Sequence, residues 1–251
     1  MKRIFQTALG LAPAALLAAC GGQGSNSEAP KAPAGSVAAK PAPAGQKWED
    51  VVVRTPEGGF RMGNPDAPLK LIEYGARTCP HCARFDKEGL PALKVNYVAN
   101  GKVSYEFRDF PVHNVLDLGP ILLGQCVEPA LFFPMLDQMM ANQDTLLADI
   151  EKKITPADQQ ALQGKSPNQV ATAFAEKLGY IDFVKQRGVP ESKARECLAD
   201  RAALDTLAKN LQKADAEYHV GSTPTFILNG KVLQGVDDWE KLEPALKSAG
   251  A

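Results

Sequence analysis

The sequence predicts an α/β fold: a β–α–β unit, then a helical block of about 100 residues, then a closing β–β–α unit. Three patterns carry that expectation. Leu69–Tyr74 and Val103–Phe110 read as strands flanking a helix opened by Pro80. From about 114 to 218 the apolar positions recur at helical spacing. Thr225-Phe226-Ile227-Leu228 and Lys231-Val232-Leu233-Gln234 are joined by Asn229-Gly230, a two-residue hairpin signal. The 251 residues are 45% hydrophobic and 23% charged, with 28 basic against 29 acidic side chains. That balance excludes a dedicated nucleic-acid binder, which needs a basic surplus to neutralise phosphates. No apolar run of about 18 residues follows the N-terminus, so a spanning helix is not expected.

In chain order, residues 1–19 read as an export signal: Lys2 and Arg3 supply the positive start and Ile4–Leu17 a short apolar stretch. It ends in Leu17-Ala18-Ala19-Cys20, which resembles the bacterial lipobox. That resemblance implies acylation of Cys20, and lipid chains contribute roughly 0.8 kcal/mol per buried CH₂ to membrane anchoring. Gly21, where an aspartate would resemble an inner-membrane retention signal, tilts the expectation towards the outer membrane. Residues 20–46 then form the lipid anchor and a tether of Gly, Ala, Ser and Pro, in which Val37 is the one apolar residue larger than Ala. Such a segment cannot offset its ordering entropy by burial, so flexibility is expected.

Residues 47–251 form the folded domain. Trp48–Val53 reads as a short edge strand, stopped by Thr55-Pro56-Glu57-Gly58-Gly59. Leu69–Tyr74 is the next strand. A helix opens at Cys79 and runs towards Ala99, with a kink at Gly89-Leu90-Pro91 and a stop at Asn100-Gly101. Val103–Phe110 follows, and the right-handed crossover rule makes it parallel to Leu69–Tyr74. Helical patterns then occupy Leu116–Met140, Val170–Leu178 and Cys197–Tyr218, and Gly221-Ser222-Thr223-Pro224 ends them. After the hairpin, Asp238–Lys247 closes the chain as a helix.

An exported chain meets an oxidising space, where thiols pair. With Cys20 acylated, four of the five cysteines remain, and four allow three connectivities. Cys79 and Cys82, in Cys79-Pro80-His81-Cys82, pair naturally with each other, which leaves Cys126 with Cys197. That bridge closes a loop of about 72 residues and would contribute on the order of 4 kcal/mol as a structural staple. The rival role is a second redox centre.

Cys79 stands where a strand hands over to a helix, at the positive end of the helix dipole and beside free backbone N–H groups. Both favour thiolate over thiol, lowering the pKa from roughly 8.5. Pro80 suits the first helical position, and His81 adds a donor or positive charge. A stabilised thiolate means a stabilised reduced state, hence an oxidising disulfide. Cys82, on the first turn, is the shielded partner that resolves a mixed disulfide. A zinc half-site lacks a second ligand pair, and c-type haem attachment requires histidine where Ala83 stands, so neither a metal nor a cofactor is expected.

Glu73-Tyr74, Cys79-Pro80-His81-Cys82 and the distant Gly221-Ser222-Thr223-Pro224-Thr225-Phe226 resemble the DsbA-like branch of the thioredoxin superfamily. The resemblance covers residues 48–249. It implies a thioredoxin fold with the inserted helical domain, and a cis Thr223–Pro224 peptide against the cysteine pair that aims backbone at an extended substrate strand. It also implies that Glu73 assists proton transfer at the buried cysteine. Glu73 shares a strand face with Leu69 and Leu71, so it is either a buried carboxylate or a solvated edge-strand residue; if buried it needs a partner, and Arg108 is the candidate. His113 and His219 have no recognisable partners and are taken as surface or structural residues. DsbA itself carries valine before the cis-proline; Thr223 resembles the isomerases and the broader DsbA-like group.

The function these readings imply is an envelope thiol–disulfide oxidoreductase, facing the periplasm as a monomeric lipoprotein. It would pass the Cys79–Cys82 disulfide to exported substrate polypeptides and be reoxidised by a DsbB-type, quinone-linked membrane partner. A reductase or isomerase of the same fold, and a non-catalytic peptide-binding lipoprotein, are the alternatives.

Overall fold

The computed structural model describes residues 35–251. The export signal, Cys20 and the start of the tether lie outside the described residues. The sheet has six strands: β1 (Val52–Arg54), β2 (Phe60–Met62), β3 (Leu69–Gly75), β4 (Val103–Asp109), β5 (Thr225–Leu228) and β6 (Lys231–Val232). Their order is β1-β2-β4-β3-β5-β6. Only the β3–β4 pair is parallel, as the crossover rule requires. Asn229 (φ 48°) and Gly230 (φ 78°) are both left-handed, the backbone that a two-residue hairpin between β5 and β6 needs.

Between β3 and β4 run α1 (Pro80–Glu88), α2 (Leu90–Leu93) and a π turn, Lys94–Val98. The expected kink is a break at Gly89, where a Cβ would press on the Phe85 ring and on Trp239 Cβ. The helical insertion comprises α3 (Val115–Gly124), α4 (Phe132–Ala141), α5 (Gln143–Leu147), α6 (Ile150–Lys153), α7 (Pro156–Ala161), α8 (Pro167–Lys177), α9 (Tyr180–Lys185), α10 (Glu191–Ala199) and α11 (Arg201–Tyr218). Ser166 and Thr155 start α8 and α7 with reciprocal capping boxes. The chain closes in α12 (Trp239–Ser248), capped by Asp238.

Three apolar clusters hold these layers together. The largest packs one sheet face (Leu69, Leu71, Tyr105, Phe107, Phe226) against Phe85 and Cys82 of α1, Phe132 and Phe133 of α4, and Leu242 and Leu246 of α12. The opposite face, through Tyr74 and Ile227, meets Ala214 and Tyr218 of α11. The insertion has its own core around Leu123, Met139, Ala171, Tyr180 and Leu198. Cys126 and Cys197 are joined across it, with Cα atoms 5.9 Å apart.

Two sequence expectations are corrected. Trp48–Val53 is not one strand: Trp48–Asp50 is a 3-10 turn with Trp48 buried, the strand is Val52–Arg54, and it pairs with β2, which the sequence reading missed. The end of the expected flexible tether is a strap bound to the domain. Val37 N–H donates to Gly250 O (2.8 Å), Lys40 N–H to Asn100 O (3.0 Å), and Trp48 Nε1–H to Lys40 O (2.7 Å). Val37 and Ala42 also pack on the main core. Backbone pairing to the domain supplies what side-chain burial alone could not.

Candidate active site

The end of β3 delivers Cys79 to the N-cap of α1, with Pro80 in its first turn. Both cysteines are free thiols and buried, Cys79 at 4% exposure and Cys82 at 0%. Pro80 and His81 are exposed beside them. Across from Cys79 lies the loop before β5, where the Thr223–Pro224 peptide is cis. Cys79 Sγ–H donates to the Thr223 carbonyl at 3.2 Å, although the two residues are 144 apart in the chain. The structure therefore brings Cys79, Cys82, Pro80, His81, Thr223 and Pro224 to one end of the sheet.

The two thiols differ sharply. Cys79 is held down at about 5, chiefly because the Cys82 side chain hydrogen-bonds its sulfur; the Thr223 side chain and the Cys82 and His81 backbone amides add to this against the opposing effect of burial. Cys82 is pushed well above the usual thiol range, first by burial and then by its bond to Cys79. Cys79 is thus the more acidic sulfur, the one that gives up its proton first, and Cys82 the one that keeps it.

Glu73 lies beneath this pair at 1% exposure, and burial pushes its carboxyl up to about 8. Its partner is not Arg108. The Tyr105 hydroxyl donates to Glu73 Oε2 at 2.5 Å. The β3–β4 register pairs Arg108 with Tyr74, so Arg108 stands on the other sheet face, where it binds Glu106 (2.7 Å) and the Tyr74 hydroxyl (3.1 Å). Alternation along a strand makes that assignment unavoidable once the register is fixed. The last position of β3 is glycine, Gly75, because a Cβ there would enter the Phe107 ring and crowd Glu73 Oε1.

The sequence reading missed the clamps on the segment before Cys79. Arg77 is wholly buried and paired with Asp109, itself bound by Gln125 Nε2 at 2.8 Å. The Thr78 hydroxyl donates to Asp117 Oδ1 (2.6 Å) and therefore accepts from His113 Nδ1 (2.7 Å), since a hydroxyl has one proton to give. Gln143 Nε2 donates to the carbonyls of Arg77 (2.9 Å) and Cys79 (3.1 Å). His113 is thus an exposed histidine whose Nδ1 is satisfied, and His219 is an exposed left-handed residue ending α11. An acidic residue inside the apolar run Leu116-Asp117-Leu118 was the one available hint.

Comparison with known proteins agrees with this geometry. A family model described as Thioredoxin matches residues 55–248. The chain belongs to the thioredoxin-like family, in the form that carries a helical insertion. It is similar to a solved protein-disulfide isomerase from Novosphingobium aromaticivorans, with 30% identity and a TM-score of 0.71, over 76% of this chain and 96% of that one. A putative protein-disulfide oxidoreductase of Rickettsia bellii is 26% identical over 72% of this chain and 60% of its own length. A probable disulfide bond formation protein D of Bacillus cereus is 32% identical over 61% of this chain and 76% of its own. The chain thus spans about 60% of the length of the Rickettsia relative.

Proposed function

We propose that the protein is a DsbA-like thiol–disulfide oxidoreductase of the bacterial envelope, with Cys79 as the exchanging sulfur. The observation that carries this reading is the placement of a Cys-Pro-His-Cys pair at the start of α1, with Cys79 Sγ 3.2 Å from the Thr223 carbonyl of a cis Thr223–Pro224 peptide. The lowered Cys79 and raised Cys82 thiols accord with it. In the oxidised protein a substrate thiolate attacks Cys79 Sγ and the Cys79–Cys82 bond breaks. Cys82 leaves with the electron pair and takes a proton from Glu73, which is neutral below about 8. The substrate's second thiolate then attacks the mixed disulfide and Cys79 leaves as a stable thiolate. The substrate dithiol is oxidised and the protein is reduced. The backbone at Thr223–Pro224 offers the groups along which an extended substrate strand pairs. A DsbB-type, quinone-linked membrane protein removes the two electrons and restores the disulfide.

Cys20 anchors the chain through lipid, and the monomer faces exported polypeptides; Cys20→Ser should release it from the membrane fraction. For the chemistry, absorbance of the Cys79 thiolate is titrated in the reduced protein. A midpoint near that of free cysteine overturns the reading. Cys82→Ala should accumulate a mixed disulfide with substrate, visible on a non-reducing gel, and Cys79→Ala should not.

Thr223 before the cis-proline, with the similarity to a protein-disulfide isomerase, favours a second reading in which the reduced form is the working one. Equilibration with glutathione separates the two: a potential near that of thioredoxin, about −270 mV, favours reduction or isomerisation, and one near −120 mV favours oxidation.

A further inference from the structure

The peptide bond between Cys79 and Pro80 has no N–H, because proline supplies its nitrogen. Hydrogen bonds can therefore hold its plane only through the Cys79 carbonyl. Two donors reach that oxygen: Ala83 N–H at 3.1 Å, the first backbone bond of α1, and Gln143 Nε2 at 3.1 Å. Gln143 Nε2 also donates to the Arg77 carbonyl at 2.9 Å, and no other donor reaches that carbonyl among the described residues. One carboxamide thus bridges the two carbonyls that flank Thr78, and both of its protons are spent in doing so.

Gln143 comes from the insertion. α4 stops at Asn142, whose Nδ2 turns back onto the Gln138 carbonyl at 2.9 Å, and Gln143 opens α5 at 4% exposure. At that burial its amide has no bulk water to exchange partners with, so releasing the turn would leave buried polar groups unmade. Asp117 of α3 holds the Thr78 hydroxyl (2.6 Å), which fixes a side chain. Among the described residues, Gln143 is the one side chain of the insertion that bonds the backbone of this turn.

The sulfur depends on how that turn is held. Cys79 Sγ lies 3.2 Å from the Thr223 carbonyl, on a separate loop, and beside the His81 and Cys82 amides that open α1. Its Cβ and the Cys79 carbonyl carbon share one Cα. Turning the Cys79–Pro80 plane against α1 therefore re-aims Sγ, and hydrogen bonds weaken steeply once misaligned. Removing the Gln143 donors also uncovers the negative ends of two carbonyl dipoles near the sulfur, which disfavours a thiolate.

We propose that Gln143 is the positioning residue through which the helical insertion sets the acidity of Cys79 and the oxidising strength of the cysteine pair. It bonds neither sulfur among the described residues and acts through the backbone of residues 77–79. The inference deepens the oxidoreductase reading and rests on it.

Gln143→Met keeps the unbranched, apolar stem of the side chain and removes both donors. In the reduced full chain it should raise the midpoint of the Cys79 thiolate absorbance by about one unit or more. Equilibration with glutathione should then disfavour the reduced form by about tenfold relative to wild type, since a less stable thiolate makes a weaker oxidant. Leu198→Ala, in the insertion's own core, is the control. It should lower the urea midpoint and move neither readout. If it shifts the thiolate as far as Gln143→Met does, general loosening of the insertion is the cause and the proposal is overturned. A measurement on the wild type serves should Gln143→Met fail to fold. The side-chain amide protons of Gln143, followed by nitrogen-15 NMR, should exchange far more slowly than those of the exposed Gln160 and should shift between the oxidised and reduced protein. Exchange as fast as that of Gln160, or shifts indifferent to the redox state, overturn it. A low wild-type thiolate midpoint that Gln143→Met leaves in place overturns this inference alone. A wild-type midpoint at that of free cysteine overturns the oxidoreductase reading and this inference with it.

Discussion

Glu73 is sealed under the cysteine pair with one hydroxyl for company, and its titration links chemistry to stability. Its folded value of about 8 lies above the ordinary 4.5. The folded state therefore binds a proton that the unfolded chain has released, and the cost of ionising or retaining that carboxyl grows as pH rises from 4.5 to about 8. Glu73→Gln keeps an acceptor for Tyr105 and should stabilise the protein by about 2–4 kcal/mol at pH 8, with no gain at pH 4, read from urea melts. Cys79 has the opposite sign. Its folded value of about 5 lies below the ordinary 9.0, so the thiolate's contribution to the reduced protein is complete above pH 9 and is lost as pH falls through 5. Relative to Cys79→Ser, the reduced wild type should lose stability steadily over that window. The cysteines, the proline and the buried carboxylate were legible in sequence because each is a local signal at a strand end or helix start. Arg108 was misassigned to Glu73 because strand parity is fixed by the β3–β4 register, which a sequence does not state.

Among elements, the strap and the disulfide make separable contributions. A chain starting at residue 47 loses the Val37, Lys40 and Trp48 hydrogen bonds and the packing of Val37 and Ala42 that a chain starting at residue 35 keeps. The shorter chain should be less stable by about 2 kcal/mol, a drop of a few degrees in Tm. Cys126→Ser with Cys197→Ser opens a loop spanning 71 residues and should cost on the order of 4 kcal/mol, while leaving the Cys79 titration in place if the bridge is only a staple. The hairpin at Asn229-Gly230 was legible because its turn needs two left-handed residues and the sequence supplies them. The strap was not, since composition tests whether a segment can bury its own side chains and is blind to backbone partners such as Gly250 and Asn100. β2 was missed because Phe60-Arg61-Met62 is too short to show a period and is a strand only through its two neighbours.

At the scale of the whole molecule, the insertion and the thioredoxin core meet at the segment that carries Cys79. Arg77 rises from the end of β3 into a site with no solvent access, beside the Phe107 and Phe132 rings and against Asp109. Gln125, between α3 and Cys126, binds the other oxygen of Asp109, and Arg54 of β1 binds Gln125 in turn (3.1 Å). Gly124 is required there because a Cβ would collide with the Arg77 guanidinium. A buried pair of this kind costs desolvation, so its presence is weak evidence for stability, but removing one partner leaves an uncompensated charge. Asp109→Asn should therefore destabilise the protein by about 3–5 kcal/mol, whereas Arg77→Met with Asp109→Leu should recover much of that loss. Because Arg77 precedes Cys79 by two residues, the single variant should also broaden the Cys79 thiolate titration or shift it upward, as the clamp from Gln143 and Thr78 loosens with it. If urea melts give equal stability for Asp109→Asn and wild type, the pair is not what joins the two lobes. If stability falls while the thiolate titration stays fixed, the insertion supports the fold without setting the chemistry of Cys79.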